Sequence, residues 1–113
     1  MTTRATLIAA RDTLLTRGWC QGHYTNRATG EVCLAGALLT ASESIEAALD
    51  GWAALEAVLP SAWRAYTSLV PLTYWNDAPD RTPEEVLNLL DQAIMHAAQA
   101  ETEVSRMPAC DLV

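Results

Sequence analysis

Phenylalanine and lysine are missing from this 113-residue chain. Without Phe, the interior has to be filled by Leu, four Trp and three Tyr. Without Lys, all seven basic side chains are Arg; with very frequent Ala, that usage resembles coding from a GC-rich genome. Val and Ile are scarce, which argues against a large sheet, because β-branched side chains pack best on a pleated surface. No apolar run reaches the length that a bilayer demands. The opening Met1-Thr2-Thr3-Arg4 leads into an amphipathic stretch interrupted by Arg11-Asp12, and so lacks the continuous apolar core of a signal peptide. The three cysteines are odd in number and without framework spacing, so reduced thiols and a cytoplasmic location are expected. Positive charge is in short supply as well: 14 acidic residues against 7 basic ones give a formal net charge of -7. Such a surface repels phosphate backbones and anionic headgroups alike, so neither nucleic acid nor membrane is an expected partner.

What remains is helix-forming material. Half of the residues are hydrophobic, enough for one domain of this length to bury roughly two thirds of its unfolded surface without staples. Leu7, Ile8, Leu14 and Leu15 recur at helical spacing and predict a first helix over 3–17, capped by Thr2 or Thr3 and stopped by Gly18. Residues 19–32 lose that period. Trp19-Cys20-Gln21 and Glu31-Val32 read as two short strands of a hairpin, with the turn formers Asn26 to Gly30 between them. A second helix of small residues covers 33–42; Gly36, which costs a helix about 1 kcal/mol, is expected to let another backbone approach. Ser44 caps a third helix over 45–59, with Ile45, Leu49, Trp52, Leu55 and Leu59 as its buried stripe and Glu43, Glu46, Asp50 and Glu56 on its wet face. Pro60 ends it. A shorter helix over 62–70 stops at Pro71, and 72–81 reads as a loop. Thr82-Pro83-Glu84-Glu85 is a capping box with Pro at the first helical position, opening a last helix to about Val104. The expected fold is therefore mainly α: a compact bundle of about five helices with one short β-hairpin near 19–32. It forms a single domain over 1–104, followed by a frayed tail over 105–113.

Three segments stand out in order: Gly18-Trp19-Cys20-Gln21, then Gly30-Glu31-Val32-Cys33-Leu34-Ala35-Gly36-Ala37-Leu38, then Trp75-Asn76-Asp77 with Thr82-Pro83-Glu84-Glu85-Val86. This ordered set resembles a small actinobacterial and actinophage family known only as a domain of unknown function. The resemblance spans roughly residues 5 to 98. It implies a host, an actinobacterium or its phage, and a compact domain, and it implies no activity.

Candidate chemistry centres on Cys33. At a helix N-terminus, free N–H groups and the dipole favour a thiolate. A cysteine enzyme also needs a base and an orienting group; His23 or His96 and Asn76 or Asp77 are the residues available, with Cys33, His23 and Asp77 forming the candidate catalytic set. The structural alternative is a small apolar Cys buried at a helix start. A metal site would draw on Cys20, His23 and Cys33, where Cys20-Gln21-Gly22-His23 has the gap of a zinc knuckle but lacks a second ligand pair. Trp75-Asn76-Asp77 reads most simply as a loop anchor, its polar side chains bonded to backbone. No phosphate loop, dinucleotide fingerprint, serine elbow or zincin motif occurs, and no cofactor is expected. The leading expectation is a non-enzymatic module that binds another protein, with a cysteine-dependent enzyme as the alternative. Homo-oligomer formation through an apolar helix face around Trp52 and Trp63 stays open.

Overall fold

In the computed structural model, which describes residues 2–66 and 71–105, helix limits follow capping chemistry. α1 (Thr3–Arg17) starts where the Thr2 hydroxyl accepts from Ala5 N and ends at Gly18, at φ 90°. α2 (Leu34–Ala41) is capped by Cys33, and α3 (Ile45–Val58) by Ser44, whose hydroxyl accepts from Ala47 N. α4 (Ser61–Tyr66), α5 (Pro71–Asn76) and α6 (Pro83–Ser105) complete the described helices. The capping box forms as expected: Glu85 N donates to Thr82 Oγ1 at 3.2 Å, and Thr82 N donates to Glu85 Oε1 at 3.0 Å. The bond from the Thr82 backbone holds the Glu85 carboxyl below its ordinary range, with help from the Arg81 guanidinium.

Two of the expected elements take another form. Pro71 opens a helix of its own, so the described residues hold six helices, and 72–76 is helical where a loop was expected. Proline at a first helical position gives up an N–H that has no partner there anyway. The second is the stretch 19–32, where no strand forms among the described residues. Cys20 N donates to Val32 O and Val32 N to Gly18 O, a parallel bridge that a hairpin cannot make. The antiparallel contact is Thr25 with Val32, closed by Asn26 N donating to Glu31 O at 2.8 Å. The reason lies at 21–22, whose polar groups bond to residues 76–78 and pull the chain away from a hairpin partner. Residues 67–70 of the expected 62–70 helix, the tail from 106 and Cys110 lie outside the described residues.

The core joins Leu7, Ala10 and Leu14 of α1 to Leu34, Ala37 and Leu38 of α2, with Leu55, Leu72, Trp75 and Leu90 closing it from α3, α5 and α6. The buried face of α3 is rotated from the expected one. Ala48, Gly51 and Leu55 point inward, while Ile45 and Leu49 are 67% and 62% exposed. At Gly51 a Cβ would come within 2.8 Å of Leu38 Cδ2. α2 and α3 thus meet through a residue without a side chain, and Ile45 and Leu49 face outward while Leu55 and Leu59 of the expected stripe stay buried. In α1, Leu7 and Leu14 of the expected stripe are buried together with Thr6 and Ala10, and Ile8 and Leu15 are exposed. Among the described residues no helix is long and apolar enough to cross a membrane.

Candidate functional site

The three sequence segments that stand out meet in space at one buried amide. Asn76, 1% exposed at the end of α5, accepts at Oδ1 from the Trp19 indole N–H at 2.8 Å and from Leu34 N at 3.1 Å. Its Nδ2 donates to Cys20 O at 3.3 Å and to Asp77 Oδ1 at 2.9 Å. Gln21 Nε2 reaches the carbonyls of Asn76 and Ala78, and Gly22 N donates to Asp77 Oδ1 at 3.0 Å. Asn76 therefore ties the loop after α1, the first turn of α2 and the end of α5 together. Gly36 serves the same junction. Cys33 N donates to Tyr24 O at 3.1 Å, and a Cβ on Gly36 would overlap that same Tyr24 carbonyl. The backbone approach expected from the sequence is thus real, and its partner is Tyr24. Beside the junction, the Arg81 guanidinium lies 4.0 Å from the Trp75 ring centre and 5.5 Å from that of Trp63, a stacking that sequence reading missed.

The candidate catalytic residues come to one cleft. Gly22, His23, Tyr24, Cys33, Thr73 and Asp77 line a volume of about 410 Å³. The details oppose an activated thiol. Cys33 is 4% exposed, and its Sγ accepts from Gly36 N at 3.3 Å, as a capping group does. Burial pushes the Cys33 thiol above its ordinary value, the Asp77 charge adds to the rise, and the N–H groups of Gly36 and Ala35 only partly offset it. Asp77 Oδ1 is held by Gly22 and Asn76, and His23 is exposed at the rim. The Thr73 hydroxyl is buried without a partner among the described residues. Cys20 turns elsewhere: its Sγ donates to His23 O at 3.5 Å, and burial raises its thiol too. Among the described residues no three His, Cys, Asp or Glu side chains are placed to hold a metal ion. His96, the other candidate base, sits on α6 and away from this cleft.

A second opening is larger. Between α3 and α6 runs an open groove of about 880 Å³, bounded at one end by Thr2 and Thr3. Its walls are alanines, Ala53 and Ala57 from α3 and Ala93, Ala97 and Ala100 from α6, with Asp50 and His96 beside them. The signal in the sequence is Ala repeated four residues apart in both helices, which reads equally well as a closely packed interface. Trp52 and Trp63, around which homo-oligomer formation was left open, pack against the core. The large apolar side chains that α3 exposes are Ile45 and Leu49.

No curated protein and no solved structure matches the chain. A family model does, over residues 1–96, which takes in the Asn76 junction, the Cys33 cleft and most of the groove. The chain belongs to the family of unknown function DUF6197.

Proposed function

We propose that this protein is a non-enzymatic protein–protein interaction module, working in an actinobacterial or actinophage setting, that receives its partner on the α3–α6 face. The observation that carries this reading is the open apolar groove, flanked on α3 by two large apolar side chains that the fold leaves in solvent. Exposed apolar surface gathered in one place marks binding sites more often than scattered residues do. A photo-reactive side chain placed at Ala57, in the groove wall, is expected to capture one dominant protein in the native host. The same group at Thr16, exposed on α1, is expected to capture none. Equal labelling from both positions, or none from Ala57, sinks the reading.

The alternative, a cysteine-dependent enzyme, is favoured by the convergence of Cys33, His23 and Asp77 on one cleft. Burial of a protonated thiol speaks against it, since the thiolate is the nucleophile. Alkylation of Cys33 by iodoacetamide is expected to run slower than that of a free thiol and to accelerate only in the alkaline range, above the ordinary thiol value of 9.0. Rapid reaction at neutral pH decides for the enzyme.

A further inference from the structure

We infer that the partner segment seated in the α3–α6 groove is a basic amphipathic helix of another protein. The inference rests on the interaction reading above and adds the chemistry of the partner.

Shape comes first. Ile45, Leu49, Ala53 and Ala57 recur every four residues on α3, so they form one continuous ridge, the kind that packs into the grooves of another helix. The ridge begins with two exposed large side chains and ends in the wall of the groove. From Ile45 to Ala57 it is about 18 Å long at 1.5 Å per residue, a length that suits three or four turns of a partner helix. The groove walls are mostly methyl groups and offer few hydrogen bonds. An extended segment buried there would leave backbone N–H and C=O groups unsatisfied, whereas a helix satisfies its own. Large apolar side chains on such a helix fill the space that the alanines leave.

Charge selects among helices. Glu46 and Asp50 flank this ridge on one side and Glu56 on the other, and none of the three carboxylates makes an ion pair or hydrogen bond among the described residues. No Arg, Lys or His occurs anywhere from residue 28 to 63, so this part of the chain supplies no cation to answer them. A second copy is the rival occupant, and shape alone would admit it. In an antiparallel two-fold pairing centred on Gly51, Ile45 meets Ala57 and Leu49 meets Ala53, large against small. The same pairing sets Glu46 against Glu56 on both sides of the axis and joins two chains of formal charge -7 each. A helix carrying Lys and Arg along its flanks keeps the shape and reverses the sign of that interaction.

The test uses the full chain and three labelled peptides of about 18 residues, roughly five helical turns. One has Leu on one helical face and Lys elsewhere; the second replaces Lys with Glu; the third keeps Lys and replaces Leu with Ser. By fluorescence anisotropy, the Leu/Lys peptide is expected to bind at least about tenfold more tightly than either of the others. Ala53→Trp, which fills the groove without changing charge, is expected to weaken binding about tenfold, as is the triple change Glu46→Gln, Asp50→Asn and Glu56→Gln. Leu49→Ser, at an exposed position that leaves the groove wall alone, checks the ridge should Ala53→Trp disturb the fold by circular dichroism. Raising salt to about 1 M, where the screening length falls to about 3 Å, is expected to weaken binding as well. Equal binding of the Lys and Glu peptides overturns the proposal, as does binding that Ala53→Trp and Leu49→Ser leave untouched. Sedimentation of a dimer that Ala53→Trp dissolves gives the groove to a second copy, and peptide binding that appears only after removal of 106–113 gives it to that segment; either result also overturns the proposal. A protein captured from Ala57 without any preference for the Leu/Lys peptide ends this inference while the interaction reading stands; no capture ends both.

Discussion

Around Asn76 four hydrogen bonds close on one buried amide, whereas along the outer ridge of α3 the carboxylates of Glu46 and Asp50 and two large apolar side chains face solvent. The first region holds nearly every conspicuous residue of the sequence: the Trp-Cys-Gln segment, Cys33, Gly36 and Trp75-Asn76-Asp77. The second is made of alanines, glutamates and aliphatics that attract no notice in a sequence. Unusual residues here mark a junction of chain segments. Asn76 has to be Asn because it must accept two hydrogen bonds and donate two at one point, which only an amide does with such economy of size. Gly36 has to be Gly because a carbonyl occupies the place of its Cβ. The face free to recognise something else asks only for small residues in a groove and charges around it.

If the junction is as rigid as its contacts imply, its two key residues carry the largest effects. Gly36→Ala is expected to lose about 3 kcal/mol or more, since the Tyr24 carbonyl that it meets is itself fixed by Cys33 N. Urea unfolding measures this, and a variant as stable as the parent would show a junction that yields easily. Gly51→Ala gives the contrast: the nearest atom is the end of the Leu38 side chain, which can shift, and Ala gains about 1 kcal/mol of helix propensity. Its net change is expected within about 1 kcal/mol of zero.

Asn76→Ala comes next. It strands the Trp19 indole N–H, Leu34 N and Cys20 O inside the protein, at about 1–3 kcal/mol for a buried group left unpaired. A total near 3 kcal/mol is expected by the same unfolding assay. The Trp19 environment, followed by fluorescence, is expected to change with it, and an unchanged spectrum would mean that the indole is held by other contacts.

Smaller still is the pH dependence of the capping box. The Glu85 carboxyl is depressed in the folded chain relative to its ordinary 4.5. Its contribution is therefore present above that value and lost as pH falls through the lower folded value. Glu85→Gln is expected to flatten the acid side of the stability profile while leaving Asn76 contacts intact. A profile parallel to that of the parent would place the acid sensitivity elsewhere. At the end of the scale stands Leu49→Ser on the open face, expected to change stability by less than about 0.5 kcal/mol. A large loss there would show that the ridge belongs to the fold and not to a partner.

The ends of α1, α3 and α6 were readable in the sequence. Thr2, Gly18, Ser44 and the Thr82–Glu85 box each act within four residues, and each does what its local chemistry predicts. Legibility failed where two segments had to be known together. Pro71 ends one helix pattern and starts another, and sequence offers both readings. The hairpin failed because Gln21 and Gly22 bond to residues more than fifty positions away. Of the site residues, the sequence could nominate Cys33, His23 and Asp77, and the fold does gather them at one cleft. It could not show that burial would keep the thiol protonated.

Residue order and composition alone, then, settled the capped ends of α1, α3 and α6, the mainly α class, the lack of an extended sheet among the described residues and the acidic balance. These depend on capping, propensity and composition, which act over a turn or less. What the packed fold added is which residues of α1 and α3 turn outward. That choice rests on how closely neighbouring helices approach, and the approach is set by small residues from different segments, Gly51 against Leu38 and Gly36 against Tyr24. The outward turn of Ile45 and Leu49, and with it the face on which a partner is proposed to dock, follows from those contacts.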